Sequence, residues 1–173
     1  IYGLPGDTLE GFRSSVDFAL RLGPNHLDIF RLAVLPGTVL AVEAASRGLM
    51  HGKTPPYSVI SSPGFSSQDI LLAQNLAQAA DLFYNQGRAV AWFRSLAKAA
   101  RLAPHALLEC AAAHRDFHAA LSGKIQVGAF QESLARECLD AAGNGACVDA
   151  STSLIRLHGA WGRAIADGQG SEV

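Results

Sequence analysis

A glycine-rich turn near the start of the chain has the residue types that let a backbone pass close to a ligand. Ile1-Tyr2 reads as the end of a buried strand, and Gly3-Leu4-Pro5-Gly6 follows it directly. Glycine adds no bulk and proline fixes φ, so both suit a turn at a strand end. The next helix would present unpaired N–H groups there. The stretch lacks the lysine of a phosphate-binding GxxxxGK[ST] loop, which excludes that class, and a purely structural turn stays the alternative.

A second group of residues has metal-ligand chemistry. Cys110, His114 and His118 recur every four residues in a predicted helix, which brings them to roughly one face. Zinc accepts such ligands, but no HExxH pattern and no fourth ligand accompany them. Alanine-rich helices often pack Cys and His into small gaps, so packing is the favoured interpretation. Cys110, Cys138 and Cys147 are widely spaced and suit reduced thiols better than a disulfide framework.

An aromatic group surrounds a third candidate position. Phe83, Tyr84, Trp92 and Phe93 flank the corner 85–88. Core packing between two helices is favoured, because each ring buries a large apolar area. The alternative is the wall of a substrate cavity, in which Asn85 and Arg88 would supply polar contacts.

The first fifty residues read as strand, helix, strand, helix. Asp7 with Glu10 resembles a capping box, and the apolar residues that follow have helical spacing up to Gly23-Pro24. The segment 26–32 is a short apolar strand, and Leu35-Pro36-Gly37-Thr38 turns the chain into a second helix that ends near Gly48. This order predicts parallel strands with right-handed crossovers.

Beyond Gly48 the composition changes. A connector over 51–67, rich in Pro, Ser and Gly, is predicted to be a loop between a first part, 1–50, and a helical domain, 68–167. The tail 168–173 is predicted to fray. Five helices are predicted in the helical domain, over about 68–84, 88–102, 104–121, 127–142 and 148–166.

Composition limits the partners and the compartment. The chain has 173 residues, with 14 Lys and Arg against 15 Asp and Glu, and its basic residues are scattered singly. Nucleic acid is therefore not an expected partner. No apolar run approaches the length of a membrane span, and the first residues lack signal-peptide character. The sequence indicates a soluble, cytoplasmic protein with no membrane partner.

Two of these segments together resemble a known enzyme superfamily. The stretch IYGLPGDT, then a helix, then HLDIFRLAVLPGT closely resembles the fifth and sixth strand-helix units of radical S-adenosylmethionine enzymes, where IxGxPGET and PGT stand at these places. DLFYNQGRAVAWF further resembles the C-terminal region of the subgroup that carries a cobalamin-binding domain. The resemblance implies an α/β fold: a partial (β/α) barrel, consisting of its last two strand-helix units, followed by an all-helical C-terminal region.

The resemblance also implies which residues bind the cofactor. Ile1, Gly3 and Leu4 would lie against the adenine and ribose of S-adenosylmethionine, with Gly3 permitting the close approach. The backbone of residues 30–32 would meet the adenine edge. Arg31 departs from the uncharged residue of many relatives, and would either pair with an anionic substrate group or point to solvent. The implied cofactor-binding residues are therefore Ile1, Gly3, Leu4, Phe30, Arg31 and Leu32.

The implied function is that of the C-terminal part of a longer enzyme. Its [4Fe-4S] cluster ligands, in a CxxxCxxC motif, and its first four strands would lie upstream in the missing N-terminal part of the same protein. The full enzyme would cleave S-adenosylmethionine reductively and act through a carbon radical on a small-molecule substrate, and whether cobalamin takes part stays open. No residue of this chain is expected to be catalytic or to bind metal. The alternative is a non-catalytic helical interaction module.

Overall fold

The computed structural model describes residues 1–166 and is mostly helical. The tail predicted to fray lies outside the described residues. The helices are α1 (Leu9–Arg21), α2 (Val39–Glu43), α3 (Ser67–Ala79), α4 (Phe93–Ala99), α5 (Pro104–Ala113), α6 (Phe117–Leu121), α7 (Val127–Ala141) and α8 (Val148–Ala166). A π-helical segment, Ala80–Gln86, continues α3, and short 3₁₀ helices span Ala89–Ala91 and Gly145–Cys147.

A small mixed sheet covers one side of the helices. Its regular strands, β1 (Met50–His51) and β2 (Val59–Ser61), pair antiparallel. The sheet continues through single bridges, antiparallel from Ser58 to Ala33 and parallel from Arg31 to Tyr2. The architecture is therefore mixed α/β with a helical C-terminal region, and the two N-terminal segments run parallel as predicted.

The structure corrects three predicted elements. The connector 51–67 is not only a loop, because β2 lies in it and forms a hairpin with β1. The second helix ends at Glu43, well before Gly48. The predicted helix 104–121 is broken, since His114 takes an extended ψ of 140° between α5 and α6.

The start of α1 differs from the predicted capping box. Thr8, not Asp7, is the N-cap, and its Oγ1 accepts a hydrogen bond from the Gly11 N–H at 3.1 Å. Asp7 instead closes the preceding turn, where its carboxylate accepts from the Leu4 N–H at 2.9 Å. Both side chains satisfy N–H groups that would otherwise be unpaired, so turn and helix start form one hydrogen-bonded unit.

A single hydrophobic core runs from α1 into α7 and α8. Phe83 lies at its centre, with ring centroids of Trp92, Phe93 and Phe130 at 5.6, 6.2 and 5.9 Å. These rings are almost fully buried, which confirms that the aromatic group packs the core. No helix within residues 1–166 has the length and apolar character of a membrane span.

Candidate functional site

Two similar turns leave the sheet at the same end. Leu4-Pro5-Gly6 and Leu35-Pro36-Gly37 each contain a left-handed glycine, with φ +90° at Gly6 and +80° at Gly37. A threonine N-cap follows each turn, Thr8 before α1 and Thr38 before α2. Because the parallel Tyr2–Arg31 bridge aligns the strands, both turns lie at their carboxyl ends. All six predicted cofactor-binding residues belong to these two neighbouring segments.

The two segments present one covered face and one open face. The Tyr2 N–H donates to the Phe30 carbonyl at 2.9 Å, and the Leu32 N–H donates to the Tyr2 carbonyl at 2.9 Å. Tyr2 is buried against Phe12. Side chains alternate along a strand, so Ile1 and Phe30 share the opposite face. Ile1 is 71% exposed and Phe30 62% exposed, which makes this open face apolar and accessible.

Arg31 lies on the covered face with Tyr2. Its Nε donates to the Val59 carbonyl at 2.7 Å, and a terminal nitrogen donates to Gln74 Oε1 at 3.2 Å. Burial raises the pKa of the Tyr2 hydroxyl, and the positive charge of Arg31 opposes that shift. The solvent-facing alternative is thus wrong: the guanidinium is partly buried, and it joins the segment to β2 and α3.

Gly3 is buried, and its packing explains why it must be glycine. Its φ is +86°, and a Cβ there would lie 2.5 Å from Val59 Cγ1 and 3.2 Å from Ile70 Cδ1. The close approach that Gly3 permits is therefore to the chain's own β2 and α3. Leu4, in contrast, is exposed in the turn.

Backbone groups at the strand ends differ in their capacity to bind a ligand. The Leu32 N–H donates to the Tyr2 carbonyl, and the Leu32 carbonyl accepts from the Val59 N–H. Both backbone groups of Leu32 are therefore occupied within the sheet. Within the described residues, the peptide groups of Gly3 and Arg31 have no backbone partner. A recess of about 230 Å³ adjoins Ile1 and the first turn of α1. The site therefore combines an apolar face, free peptide groups and a small recess.

Cys110, His114 and His118, the candidate metal ligands, do not lie on one helix face. The break at His114 separates α5, with Cys110, from α6, where His118 is exposed. Among residues 1–166, no three His, Cys, Asp or Glu side chains are placed to share an ion. Burial, reinforced by the nearby Cys110, raises the pKa of the Cys138 thiol to about 12.

His114 also does not activate a nucleophile. Its buried ring accepts a hydrogen bond from the Asp116 N–H at Nδ1, over 3.1 Å. Nε2 must then carry the proton of the neutral ring, and it lies 3.3 Å from Ser133 Oγ and 3.4 Å from Glu137 Oε1. A protonated Nε2 cannot take a proton from Ser133, so this group is a structural contact.

The polar residues of the corner 85–88 form hydrogen bonds with the chain's own backbone. The Asn85 side chain accepts from the Leu27 N–H at 2.9 Å and donates to the Leu27 carbonyl at 3.1 Å. Arg88 has a left-handed φ of 49° and donates to the Gly162 carbonyl at 2.9 Å. Sequence reasoning missed Gln131, whose buried Nε2 donates to the carbonyls of Phe83 and Gly87 at the end of the π-helical segment. A glutamine on the apolar side of a predicted helix was the available signal.

No family model matches the chain, and neither a curated protein nor a solved structure matches it. The two aligned turns and the apolar face beside them are therefore the features on which a functional proposal can stand.

Proposed function

We propose that this chain is the C-terminal part of a radical S-adenosylmethionine iron-sulfur enzyme. It would contribute the last two strand-helix units of a (β/α) barrel and a helical region packed against them. The observation that carries the proposal is the parallel Tyr2–Arg31 bridge, which brings the two Leu-Pro-Gly turns to one end of the sheet. Barrel enzymes bind and transform their ligands at the carboxyl ends of the strands.

The residues at this end suit an adenine group. An aromatic base needs an apolar surface for its ring, and Ile1 and Phe30 offer one. Its polar edge needs donors and acceptors, which the unpartnered peptide groups of Arg31 can supply. Leu4 lies beside them in the turn, and Leu32 would contribute through its side chain.

Cluster binding falls to another part of the protein in this proposal. The three free cysteines are on or beside late helices, and residues 1–166 hold no cluster of metal-ligating side chains. When bound, the cluster and S-adenosylmethionine would supply reductive cleavage and a carbon radical; cobalamin is an optional further cofactor. Cysteines without a disulfide bond are typical of a reducing compartment, so we propose that the protein is cytoplasmic.

This chain's own contribution would be to bind, orient and shield. The Leu32 and Tyr2 hydrogen bonds fix the spacing of the two strand ends. Arg31 and Gly3 fix the same segments to β2 and α3 from the covered face. A ligand on the open face would therefore meet a surface held rigidly from behind, which lowers the entropic cost of positioning a small-molecule substrate.

The test uses the full-length protein that carries this chain. It is reconstituted anaerobically with iron and sulfide, then given S-adenosylmethionine and a reductant, and deoxyadenosine is quantified. We expect deoxyadenosine and methionine to form. Phe30→Ala should weaken S-adenosylmethionine binding about tenfold, a loss of about 1.4 kcal/mol.

Phe18→Ala is the matched control. Phe18 is 61% exposed on α1, against 62% for Phe30, so both variants remove an exposed phenyl ring. We expect Phe18→Ala to bind S-adenosylmethionine within about twofold of the unaltered protein. Absence of deoxyadenosine from the reconstituted protein, or equal effects of the two variants, would refute the proposal.

A helical interaction module is the second candidate. It is favoured by an exposed apolar stripe on α8, where Leu154, Leu157, Trp161 and Ile165 recur at helical spacing. In this case the protein would produce no deoxyadenosine, and Trp161→Ala would abolish partner binding. The radical enzyme proposal instead expects Trp161→Ala to leave S-adenosylmethionine cleavage unchanged.

A further inference from the structure

A cleft of about 680 Å³ lies where the end of α1 meets the Ala89–Ala91 turn, α4 and the start of α5. Three cationic side chains line it, Arg21, Arg94 and Lys98, and no carboxylate does. We call it the basic cleft. The chain as a whole has 14 Lys and Arg against 15 Asp and Glu, so this concentration of one charge sign is local.

The cations of the basic cleft make no ion pair or side-chain hydrogen bond with any residue in 1–166. The carboxylate of Asp17, one helical turn before Arg21, is engaged elsewhere. It accepts from the His105 N–H at 2.7 Å and contacts His105 Nδ1 at 2.9 Å. The next acid on this side, Glu109, binds Arg13 at 2.7 Å. The local carboxylates therefore leave the cleft positive.

The arrangement on α4 works against helix stability. Arg94 and Lys98 stand four residues apart, which places two like charges on one face. Such a pair is unfavourable in an isolated helix. An anion bound between the two charges would relieve this repulsion.

Apolar side chains also line the basic cleft. Leu22 is 71% exposed, and Val90, Leu102 and Pro104 are partly buried beside it. A cleft of this volume is in the range that small organic ligands occupy. Cations beside apolar side chains fit an anion that carries an apolar body.

We propose that the basic cleft binds a small organic phosphate with an aromatic or apolar body. One guanidinium group can donate two parallel hydrogen bonds to two phosphate oxygens. Arg94 and Arg21 supply two guanidinium groups, and Lys98 adds a point charge. The apolar body would lie on Leu22 and Val90. This inference does not rest on the proposed radical chemistry, because the basic cleft uses none of the residues at the two strand ends.

Phenyl phosphate is the probe, titrated into the full chain by isothermal calorimetry at low salt and followed by amide NMR shifts. We expect saturable binding with shifts at Arg94, Lys98 and Leu22. Inorganic phosphate should bind about tenfold more weakly and phenol should not bind measurably, because each lacks one half of the ligand. Affinity should fall as salt is added.

The double variant Arg94→Gln with Lys98→Gln should lose at least about tenfold in affinity. Lys124→Gln with Arg136→Gln removes the same charge from exposed positions outside the cleft, and should change affinity by less than about twofold. Thermal unfolding checks that both double variants fold. Since the cleft cations make no ion pairs, neither double variant should be destabilised.

Three results would overturn the inference. The first is equal loss of affinity in the two double variants, which would mean non-specific charge attraction. The second is no saturable binding of phenyl phosphate. If the Arg94→Gln and Lys98→Gln variant also loses much stability, the two cations stabilise the helix instead of binding a ligand. The third is tighter binding of a hexaglutamate peptide than of phenyl phosphate, which would assign the cleft to an acidic protein segment.

Discussion

The helical part of the chain, from α3 to α8, and the strand-bearing part before it solve the burial of apolar surface differently. In the helical part Phe83, Phe93 and Phe130 are fully buried, and the rings of Phe93 and Phe130 both pack against Phe83. In the strand-bearing part Ile1 and Phe30 remain largely exposed on one face. A cluster of large exposed apolar side chains marks a surface that interacts with another molecule. The open face at the strand ends is therefore a candidate binding surface, as is the apolar stripe on α8.

The open face is not the result of a loosely attached segment. Arg13 of α1 binds Glu109 of α5 at 2.7 Å, and Asp17 caps the start of α5 through the His105 N–H. Asn85 adds two hydrogen bonds to Leu27. Polar contacts and one continuous core thus join the two parts. The exposed side chains lie on a well-anchored scaffold, as a binding surface requires.

The largest expected effect comes from the centre of the helical core. Phe83→Ala should lower the free energy of unfolding by about 3 to 5 kcal/mol, because it removes a ring packed against three others. Urea unfolding followed by circular dichroism measures this. The exposed Phe18→Ala should cost less than about 1 kcal/mol. Similar costs for both variants would contradict the contrast between buried and open surfaces.

The strand-bearing part can be tested at Gly3. Gly3→Ala should cost about 2 to 4 kcal/mol, from left-handed strain and from the clash with Val59 and Ile70. Gly6→Ala has a similar φ but meets no atom within 4 Å, so it should cost only about 1 to 2 kcal/mol. Thermal unfolding of both variants gives the difference. A smaller cost at Gly3 than at Gly6 would show that the strand end is not packed as described.

The link between the two parts has an intermediate expected effect. Asn85→Asp replaces the amide that donates to the Leu27 carbonyl by a carboxylate that repels it. We expect a loss of about 1 to 3 kcal/mol in the free energy of unfolding. Asn25→Asp, at an exposed position, should stay within about 0.5 kcal/mol. Urea unfolding provides the readout, and an unchanged free energy of unfolding in Asn85→Asp would rule out this link.

The smallest effect is a pH dependence in the helical core. Burial raises the pKa of Cys138 to about 12 from its usual value near 9. Between these values the unfolded chain releases the thiol proton while the folded chain keeps it, so stability falls as pH rises. For one proton the slope is at most about 1.4 kcal/mol per pH unit.

Urea unfolding from pH 8 to 10 measures that slope. Cys138→Ala should flatten it, whereas Cys147→Ala, at a partly exposed position, should leave it unchanged. An identical slope in Cys138→Ala and in the unaltered chain would mean that the thiol ionises as freely in the fold as outside it. Cys138 would then be solvated, and the helical core less tightly packed at α7 than the structure indicates.

Local patterns predicted the helices and turns well, because capping and periodicity act over a few residues. The spacing of apolar residues gave α1, and α7 begins at the predicted Val127. Prediction failed where distant contacts act. His114 breaks a helix since its ring is buried against Ser133 and Phe130, which lie far away in sequence. Val59 joins a strand because Leu32 supplies a hydrogen-bond partner.

Local residue types are enough to predict that two Leu-Pro-Gly turns each follow a short strand and precede a helix, since glycine, proline and threonine fix such turns over a few positions. The folded chain, through contacts between distant residues, pairs the Tyr2 and Arg31 segments in parallel and turns Arg31 to the covered side. It also gathers Arg21, Arg94 and Lys98 into one cleft. Pairing and charge clustering depend on groups that are far apart in the chain, which no local pattern records.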